Sequence, residues 1–491
     1  MSQSPLAAPL AGMRIHLVGA KGTGMAALAE ILAARGALLS GSDVPDVFYT
    51  DAILKALGVP VGAGFQASRI DGNLALVVHS AAYSRDSNPE LVEARRRGIP
   101  ILSYPEALGQ LSASFDSSGI AGVHGKTTTT AMAGSIIAAL GLPATILAGS
   151  AVAGFGGRST LHAGEKYFVA ETCEYRRNFL FFHPRRIVLT SIESDHQDYY
   201  PRFEDIFAAF VEYLRLLPES GELIYCADDP GAVRAAEAVG RERPDLKLTA
   251  YGRRAEGPYR LLSYDIDDGE AVFRLGGFDR GFTLRVPGEH LALDAAAALA
   301  LAFSILRSER GRSPDAGEVA AATGALSAFA GSKRRSELLG EAGGVLFMDD
   351  YGHHPTAIRE TLRGVKAFWP RRRLVVDFMS HTYSRTAALF DDFVRCLDGA
   401  DLLVVHKIYS SAREQRGEGP DGRALYEALL GRRSASAGSG TCLYFDEPLD
   451  ALVDVAALLR PGDLFLTMGA GDNWKLGVAL YERLKAFERK T

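Results

Sequence analysis

Short apolar, β-branched runs recur along the whole chain and alternate with longer stretches of helical spacing. "RIHLVG" precedes "GMAALAEILAARG", and "LALVVHS" precedes "NPELVEARRRG". "KYFVAET", "RRIVLTS" and "GELIYCADD" occupy the middle, and "VLFMDD", "RLVVDF", "DLLVVHK" and "DLFLTMG" the last third. Runs of this length without polar alternation read as strands buried on both faces. Their alternation with helices predicts α/β layers built on parallel sheets.

With 491 residues, and roughly 150 per domain, about three domains are expected. The first boundary is placed in "LSASFDSSG", Leu111–Gly119, a small polar stretch before a new strand. The second falls between Ser308 and Arg335. The segments are then residues 1–115, 116–327 and 328–491. "GRRSASAGSG", Gly431–Gly440, reads as a flexible surface loop.

Composition narrows the function class. A net charge of -5 gives no reason to expect a nucleic-acid partner. The arginine triplets at Arg95–Arg97 and Arg371–Arg373 are short and read as solvated helix ends or loops. Cys173, Cys226, Cys396 and Cys442 lie far apart without a C-x-x-C pair, so neither a zinc cluster nor a disulfide framework is expected. The start, "MSQSPLAAPLAGMRIHLVG", lacks the charged and apolar regions of a signal peptide. With no unbroken run of about 18 apolar residues, no membrane span is predicted, and the cytoplasm is the default location.

Five motifs carry chemistry. "VGAKGTGM" follows the first strand with Gly19, Gly22 and Gly24. A glycine turn before a helix offers backbone N–H groups to an anion. Asp43, which ends "SGSD" about 20 residues on, is placed for a nucleotide sugar. "GIAGVHGKTTTT" is a strand end, a glycine loop and a helix start. Gly122 and Gly125 allow loop N–H groups to face phosphates, Lys126 supplies a charge, and the Thr127 hydroxyl can ligate Mg²⁺. Ile120 stands where the usual G-x-x-x-x-G-K-[ST] loop has its first glycine.

Acids follow the next two strands: Glu171 in "VAETCEYRRNF", then Glu193, Asp195, His196 and Asp198 in "TSIESDHQDYY". Both groups sit where α/β sheets bind ligands and can hold magnesium beside phosphate, although imidazole is an unusual Mg²⁺ ligand. "MDDYGHHPTAI" offers either a His-His metal site or a rigid turn that projects polar groups into a cleft. "FMSHTYSRT" brings His381 and Arg385 after another strand, suited to holding a carboxylate.

The order of glycine turn, "GVHGKTTTT", "SIESDHQDYY", "FAGSKRRSE", "MDDYGHHPTAI", "HTYSRT" and "MGAGDNWKLG" resembles the Mur ligases across essentially the whole chain. The family's short loop form, G-x-x-G-K-T, accounts for Ile120. The resemblance implies a three-domain α/β architecture: a Rossmann-like N-terminal domain for the UDP-sugar, a central P-loop ATPase-like domain, and a Rossmann-like C-terminal domain for the amino acid. "DDYGHHPT" and "SHTYSRT" with "LFDDF" point to the member that joins UDP-N-acetylmuramate to L-alanine, using ATP and Mg²⁺. A sibling that adds a pre-formed peptide, or a non-catalytic sugar sensor on the same fold, are the alternatives. The resemblance fits a monomer or homodimer.

By position, the resemblance implies catalytic roles for Lys126, Glu171, His196, Arg335 and Asp350. ATP contacts are implied at Gly122, His124, Gly125, Lys126, Thr127, Thr128, His290, Asp294, Arg335 and Asp350. Thr127, Glu171 and His196 would hold metal. Gly22, Thr23, Gly24, Met25, Asp43 and Ser80 would meet the UDP-sugar, and Tyr351, His353, His381 and Arg385 the amino acid. Three departures stand out. The family's H-N-x-x-N is "HLALD" here, with Leu291 and Asp294 in place of both asparagines, and Leu291 cannot hydrogen-bond. E-A-D-E-S is "ETCEY", so Cys173 replaces an acid. H-R-[FY]-[ST]-R-T is "HTYSRT", so Thr382 removes one positive charge and leaves Arg385 for the carboxylate.

Overall fold

The computed structural model describes residues 5–6, 9–48, 50–267, 269–410, 419–435 and 441–489. They form two compact units. One is drawn from residues 1–192, 207–255 and 297–322, the other from 193–206, 256–296 and 323–491.

The first unit holds two sheets. Strands β1 (Arg14–Val18), β2 (Leu38–Asp43), β3 (Val61–Ala63), β4 (Leu76–His79) and β5 (Ile101–Ser103) align in the order β3-β2-β1-β4-β5, all parallel. The order reverses between β1 and β4, the switch point at which α/β sheets open a crevice. The second sheet comprises β6 (Asp116–Ala121), β7 (Ala144–Val152), β8 (Arg158–His162), β9 (Tyr167–Glu171), β10 (Arg186–Leu189), β11 (Glu222–Cys226) and β12 (Lys247–Tyr251). Its order is β12-β11-β10-β6-β9-β7-β8, with only β8 antiparallel.

In the second unit, β13 (Leu261–Asp267), β14 (Glu270–Leu275) and β15 (Phe282–Leu284) make an antiparallel sheet. Strands β16 (Glu337–Ala342), β17 (Val345–Asp350), β18 (Arg373–Phe378), β19 (Leu402–His406), β20 (Cys442–Phe445) and β21 (Asp463–Met468) follow. Their order is β16-β17-β21-β18-β19-β20, parallel except for β16.

Every apolar run picked out in the sequence is a strand paired in parallel, and the core lies where their side chains meet the flanking helices. Val375, Phe465 and Leu480 pack on one face of the last sheet, and Val376, Leu403 and Leu466 on the other. Helix starts follow capping chemistry. Asn88 accepts from the N–H groups of Glu90 and Leu91, and Ser103 with Glu106 forms a reciprocal box at the helix Tyr104–Ser112.

Several expectations change. Ser117 and Ser118, read as part of a polar stretch, are buried inside β6. Residues 431–435 of the expected loop are the end of the helix Gly422–Ala435, and 436–440 lie outside the described residues. The physical reason is Arg433: its buried guanidinium donates to the carbonyls of Ala400 and Asp401, at 2.9 and 3.3 Å, and holds the helix on the sheet. The helix Glu289–Arg310 is apolar and long enough by length and composition to cross a membrane, yet 83% of that apolar window is buried inside the protein. It is a core helix. All four cysteines are free thiols; Cys173 is exposed and the others buried.

Candidate active site

In the first unit, the glycine loop joins β6 to the helix Lys126–Ala139. Gly122 and Gly125 both adopt positive φ, 141° and 76°, where a side chain is strained. A Cβ on Gly122 would overlap the Thr190 hydroxyl and approach the Ser191 nitrogen to 2.8 Å. The loop is therefore moulded against the end of β10. The backbone of His124 donates to Ser191 Oγ at 3.0 Å, and Thr190 Oγ1 donates to the His124 carbonyl.

Lys126 Nζ folds back onto this loop. It donates to the Gly122 carbonyl and to Glu174 Oε2 at 3.0 Å. Burial opposes its charge, but Glu174 and Glu171 outweigh burial and raise its pKa, so it stays an ammonium. Thr127 Oγ1 donates to Glu171 Oε2 at 2.7 Å. Gly149 closes over this pair: a Cβ there would overlap Glu171 Oε2 and lie 2.9 Å from Thr127 Oγ1. Thr128 is buried on the same helix start.

Beside Glu171 opens a cavity of about 160 Å³, lined among others by Thr23, Gly24, Tyr104, Glu171, Cys173 and Asn178. Gly22 is the N-cap of the helix Thr23–Ala34, and Met25 is buried in its first turn. The helix start that follows β1 thus faces the same space as the end of β9. Cys173 stands where the resemblance leads one to expect an acid. Its thiol lines this cavity, where desolvation and then Glu174 push it up to about 12, so it adds no negative charge.

Asp43 is held in place by its own neighbours. Its carboxylate accepts from the backbone N–H groups of Lys21 and Val44, at 2.7 and 2.8 Å, and from Tyr83 Oη at 3.0 Å. The Tyr83 ring fills the space over Gly19, where a Cβ would meet it at 2.6 Å. Ser80 Oγ caps the adjoining turn, accepting from Ala82 N at 3.3 Å.

The second unit carries Asp350, Tyr351 and His353 at the carboxyl end of β17, and His381 and Arg385 after β18. Asp350 accepts from Gly352 N and Ser336 N, both at 2.7 Å. Arg334 and Ser336 adopt φ 58° and 48°, strained values for non-glycine residues, and Arg335 sits between them. The Arg335 guanidinium lies 4.8 Å over the Tyr351 ring. A chain of edge-on and stacked rings continues through Tyr351, His353, His381 and Tyr409, with centroids 5.3, 5.9 and 6.0 Å apart.

His353 and His354 do not make a paired metal site. His353 Nδ1 donates to the Tyr351 carbonyl at 3.0 Å. His354 caps the helix Pro355–Phe368, accepting from Thr356 N, and its Nδ1 lies 3.6 Å from Glu193, which accepts from Thr356 Oγ1 at 2.9 Å. The rigid-turn alternative is the one the geometry favours. Burial, then the charge of Arg385, holds His353 well below the usual imidazole range, so it is neutral with Nε2 as an acceptor.

Arg385 is not a free guanidinium. Nε and Nη2 both donate to Asp195 Oδ1, at 2.9 and 2.7 Å, and Nη1 donates to His381 Nδ1 at 3.1 Å. Burial works against the Asp195 charge, but Arg385 overrides it and holds the carboxyl below its ordinary range. His196, next to it, adopts φ 55° with Nε2 3.8 Å from Asp195 Oδ2. Sequence reasoning missed this pair, and it missed the contact of Glu174 with Lys126. Asp195 was singled out without its partner, and Glu174 lies three residues beyond Glu171; spacing does not say which of several neighbouring acids turns inward.

His290 opens the helix Glu289–Arg310, its ring against Gly288; burial lowers its pKa. Leu291 and Asp294 are both buried. Lys126, Thr127 and Glu171 are therefore brought together in one unit, and Arg335, Asp350, Tyr351, His353, His381 and Arg385 in the other.

Three family models match in sequence order: the Mur ligase family catalytic domain over residues 14–116, the Mur ligase middle domain over 120–302, and the Mur ligase glutamate ligase domain over 334–471. The chain belongs to the Mur ligase family. A UDP-N-acetylmuramate–L-alanine ligase of Treponema pallidum subsp. pallidum is 50% identical over 485 residues, covering 99% of each chain. One from Borrelia garinii subsp. bavariensis is 38% identical over 94% of this chain and 97% of its own. The crystal structure of the UDP-N-acetylmuramate-alanine ligase MurC of Thermotoga maritima matches with a TM-score of 0.75 at 23% identity, covering 98% of this chain and all of that one.

Proposed function

We propose that this chain joins L-alanine to the lactyl carboxylate of UDP-N-acetylmuramate, with ATP becoming ADP and phosphate, in the synthesis of peptidoglycan precursor. The observation that carries the reading is the relative named for that reaction, half identical along the full length, combined with the intact Lys126–Thr127–Glu171 cluster.

A carboxylate resists an amine because it is already anionic. Phosphorylation makes an acyl phosphate with a good leaving group, which the amine attacks through a tetrahedral intermediate. Phosphoryl transfer needs positioning and charge neutralisation more than covalent help. The N–H groups from Gly125 into the helix start cradle phosphate oxygens, and Lys126 exchanges its loop carbonyl and Glu174 for them. The oxygen donors Thr127 and Glu171 fit a hard cation, and Mg²⁺ bound there would neutralise phosphate charge. His196 is the candidate ligand for a second ion. The helix start at Thr23 and Gly24 takes the sugar diphosphate, and Asp43 and Ser80 shape its turn.

In the second unit, Arg335 and Asp350 meet the nucleotide, with His290 and Asp294 toward the adenosine. Tyr351, His353 and His381 surround the incoming amino acid. Neutral His353 offers Nε2 to its ammonium without repelling it, and Arg385, fixed by Asp195, directs a cationic edge at its carboxylate. Residues 1–115, 116–327 and 328–491 take the sugar, ATP and amino acid respectively. ATP and a nucleotide sugar as substrates fit a cytoplasmic setting.

The test is phosphate release from ATP with UDP-N-acetylmuramate and, in parallel, L-alanine, glycine, L-serine or a tripeptide. Magnesium-dependent release requiring both cosubstrates, fastest with L-alanine, is expected. Preference for the tripeptide, or no turnover by folded protein, overturns the reading.

A further inference from the structure

A second cavity, of about 240 Å³, lies at the amino-terminal ends of β10, β11 and β12. Catalysis in this fold uses the opposite, carboxyl ends, so the cavity lies away from the glycine loop. Arg185, Arg186, Lys247 and Arg307 line it, together with the serines 220, 304 and 308 and one acid, Glu222.

The charges do not balance. Glu222 is saturated: it accepts from Lys247 Nζ at 2.8 Å, from Thr249 Oγ1 at 2.7 Å and from Ser304 Oγ. Arg186, buried with only 3% of its side chain exposed, pairs with Asp116 and donates to Ser304 Oγ at 3.1 Å and Ser308 Oγ at 2.6 Å. Arg185 reaches Asp116 only at 3.7 Å, on a carboxylate already shared with Arg186. The Arg307 guanidinium has no hydrogen bond or ion pair among the described residues. Four cations thus face two carboxylates, a surplus of two positive charges.

Two ordinary explanations fall short. Arg307 lies near the C-terminal end of the helix Glu289–Arg310, where a cation complements the helix dipole. That dipole is worth about half a unit charge, less than the surplus. Solvation of surface arginines explains Arg185, and Asp116 neutralises the buried Arg186, which leaves Arg307, half-buried on the cavity wall without a partner among the described residues. Guanidinium groups fixed by such contacts, with hydroxyls beside them, match the oxygens of a phosphate.

We propose that this cavity binds a phosphate-class dianion, as inorganic phosphate or as the terminal phosphate of a nucleotide. Arg185 and Arg307 supply the matching charge, and Arg186, fixed by Ser304 and Ser308, supplies the floor with the Ser220 hydroxyl beside it. The chemistry of the two sources is shared.

The test is calorimetric titration of the full chain carrying Lys126→Ala, which removes the cation of the glycine loop, with inorganic phosphate in one arm and ADP in the other. Saturable binding in at least one arm is expected, and its arm identifies the source. Adding Arg307→Ser, or separately Arg185→Ser, weakens that binding by about tenfold or more, as expected for a lost charge-assisted contact. Both side chains are partly solvent-exposed, and an unchanged melting temperature shows that the variants fold. No binding in either arm, or binding that both serine variants leave intact, overturns the proposal.

Discussion

Nε and Nη2 of Arg385 converge on a single oxygen of Asp195, Oδ1, at 2.9 and 2.7 Å, with both side chains almost wholly buried. One guanidinium nitrogen remains toward His381. Asp195 therefore fixes the plane of Arg385 and, through it, the ring of His381. The positive charge that Arg385 presents is also smaller than a lone guanidinium would carry, since Asp195 neutralises it. Asp195→Ala leaves a buried guanidinium without its partner. A loss of about 3–5 kcal/mol in unfolding free energy is expected, with a raised KM for L-alanine in whatever fraction folds. Urea unfolding and initial-rate kinetics measure the two effects. An unchanged KM shows that Arg385 does not act on the acceptor.

The same pair sets an acid limit to stability. The folded Asp195 carboxyl ionises more readily than the ordinary aspartate value, about 3.9 in the unfolded chain. Its contribution is then fully present above that value and is lost as pH falls below it. Unfolding free energy followed from pH 6 downward should decline in the native chain and decline less in the Asp195→Asn variant.

Gly122 gives a cleaner test of the loop. At φ 141°, with a Cβ overlapping Thr190 Oγ1, alanine cannot be placed without moving either the loop or the end of β10. Backbone strain alone costs about 1–3 kcal/mol. Gly122→Ala should raise the KM for ATP far more than that for L-alanine. Equal effects on both would mean that the damage is global.

Lys126→Ala should lower kcat by about a hundredfold or more, the usual scale for removing one group that stabilises transition-state charge. Glu174→Gln separates charge from position. It removes the acid to which Nζ donates while keeping a polar group there. Retained turnover with a lowered KM for ATP is expected, because the ammonium is then held only by loop carbonyls. Steady-state kinetics on the two variants decide between these roles.

Much of this was legible in the sequence because buried parallel strands carry an uninterrupted apolar signal, and nine such runs are strands. The antiparallel sheet β13–β15 was not legible: its strands alternate buried with more exposed residues instead of forming unbroken apolar runs, as β14 shows. The glycine loop announced itself because glycine, lysine and threonine have few other reasons to stand in that order. Asp43, Glu174 and Asp195 were ambiguous for one shared reason. A carboxylate that accepts backbone N–H groups, as Asp43 does, has the same letter as one that faces a ligand. Only the fold decides which donors reach it.

Between β18 and β19, His406 and Asp377 form a fully buried pair joined through Nε2 and Oδ1, while Asn473 Nδ2 donates to the other carboxylate oxygen at 3.1 Å. His406 Nδ1 donates to the Phe445 carbonyl at 3.0 Å. Burial disfavours the imidazolium, but Asp377 outweighs burial and raises the His406 pKa above its ordinary value. A raised folded pKa means that the stabilisation is complete below about 6.5, the unfolded histidine value, and is lost as pH rises through the folded pKa. Unfolding free energy should therefore fall from pH 6 toward pH 9 in the native chain. His406→Gln keeps a hydrogen-bonding side chain but cannot carry the charge. It should lose about 3–5 kcal/mol at pH 6, the scale for breaking a buried pair, and show a flatter profile above it. A native chain whose stability is level across that range would mean that His406 is neutral and that the pair is held by hydrogen bonds alone.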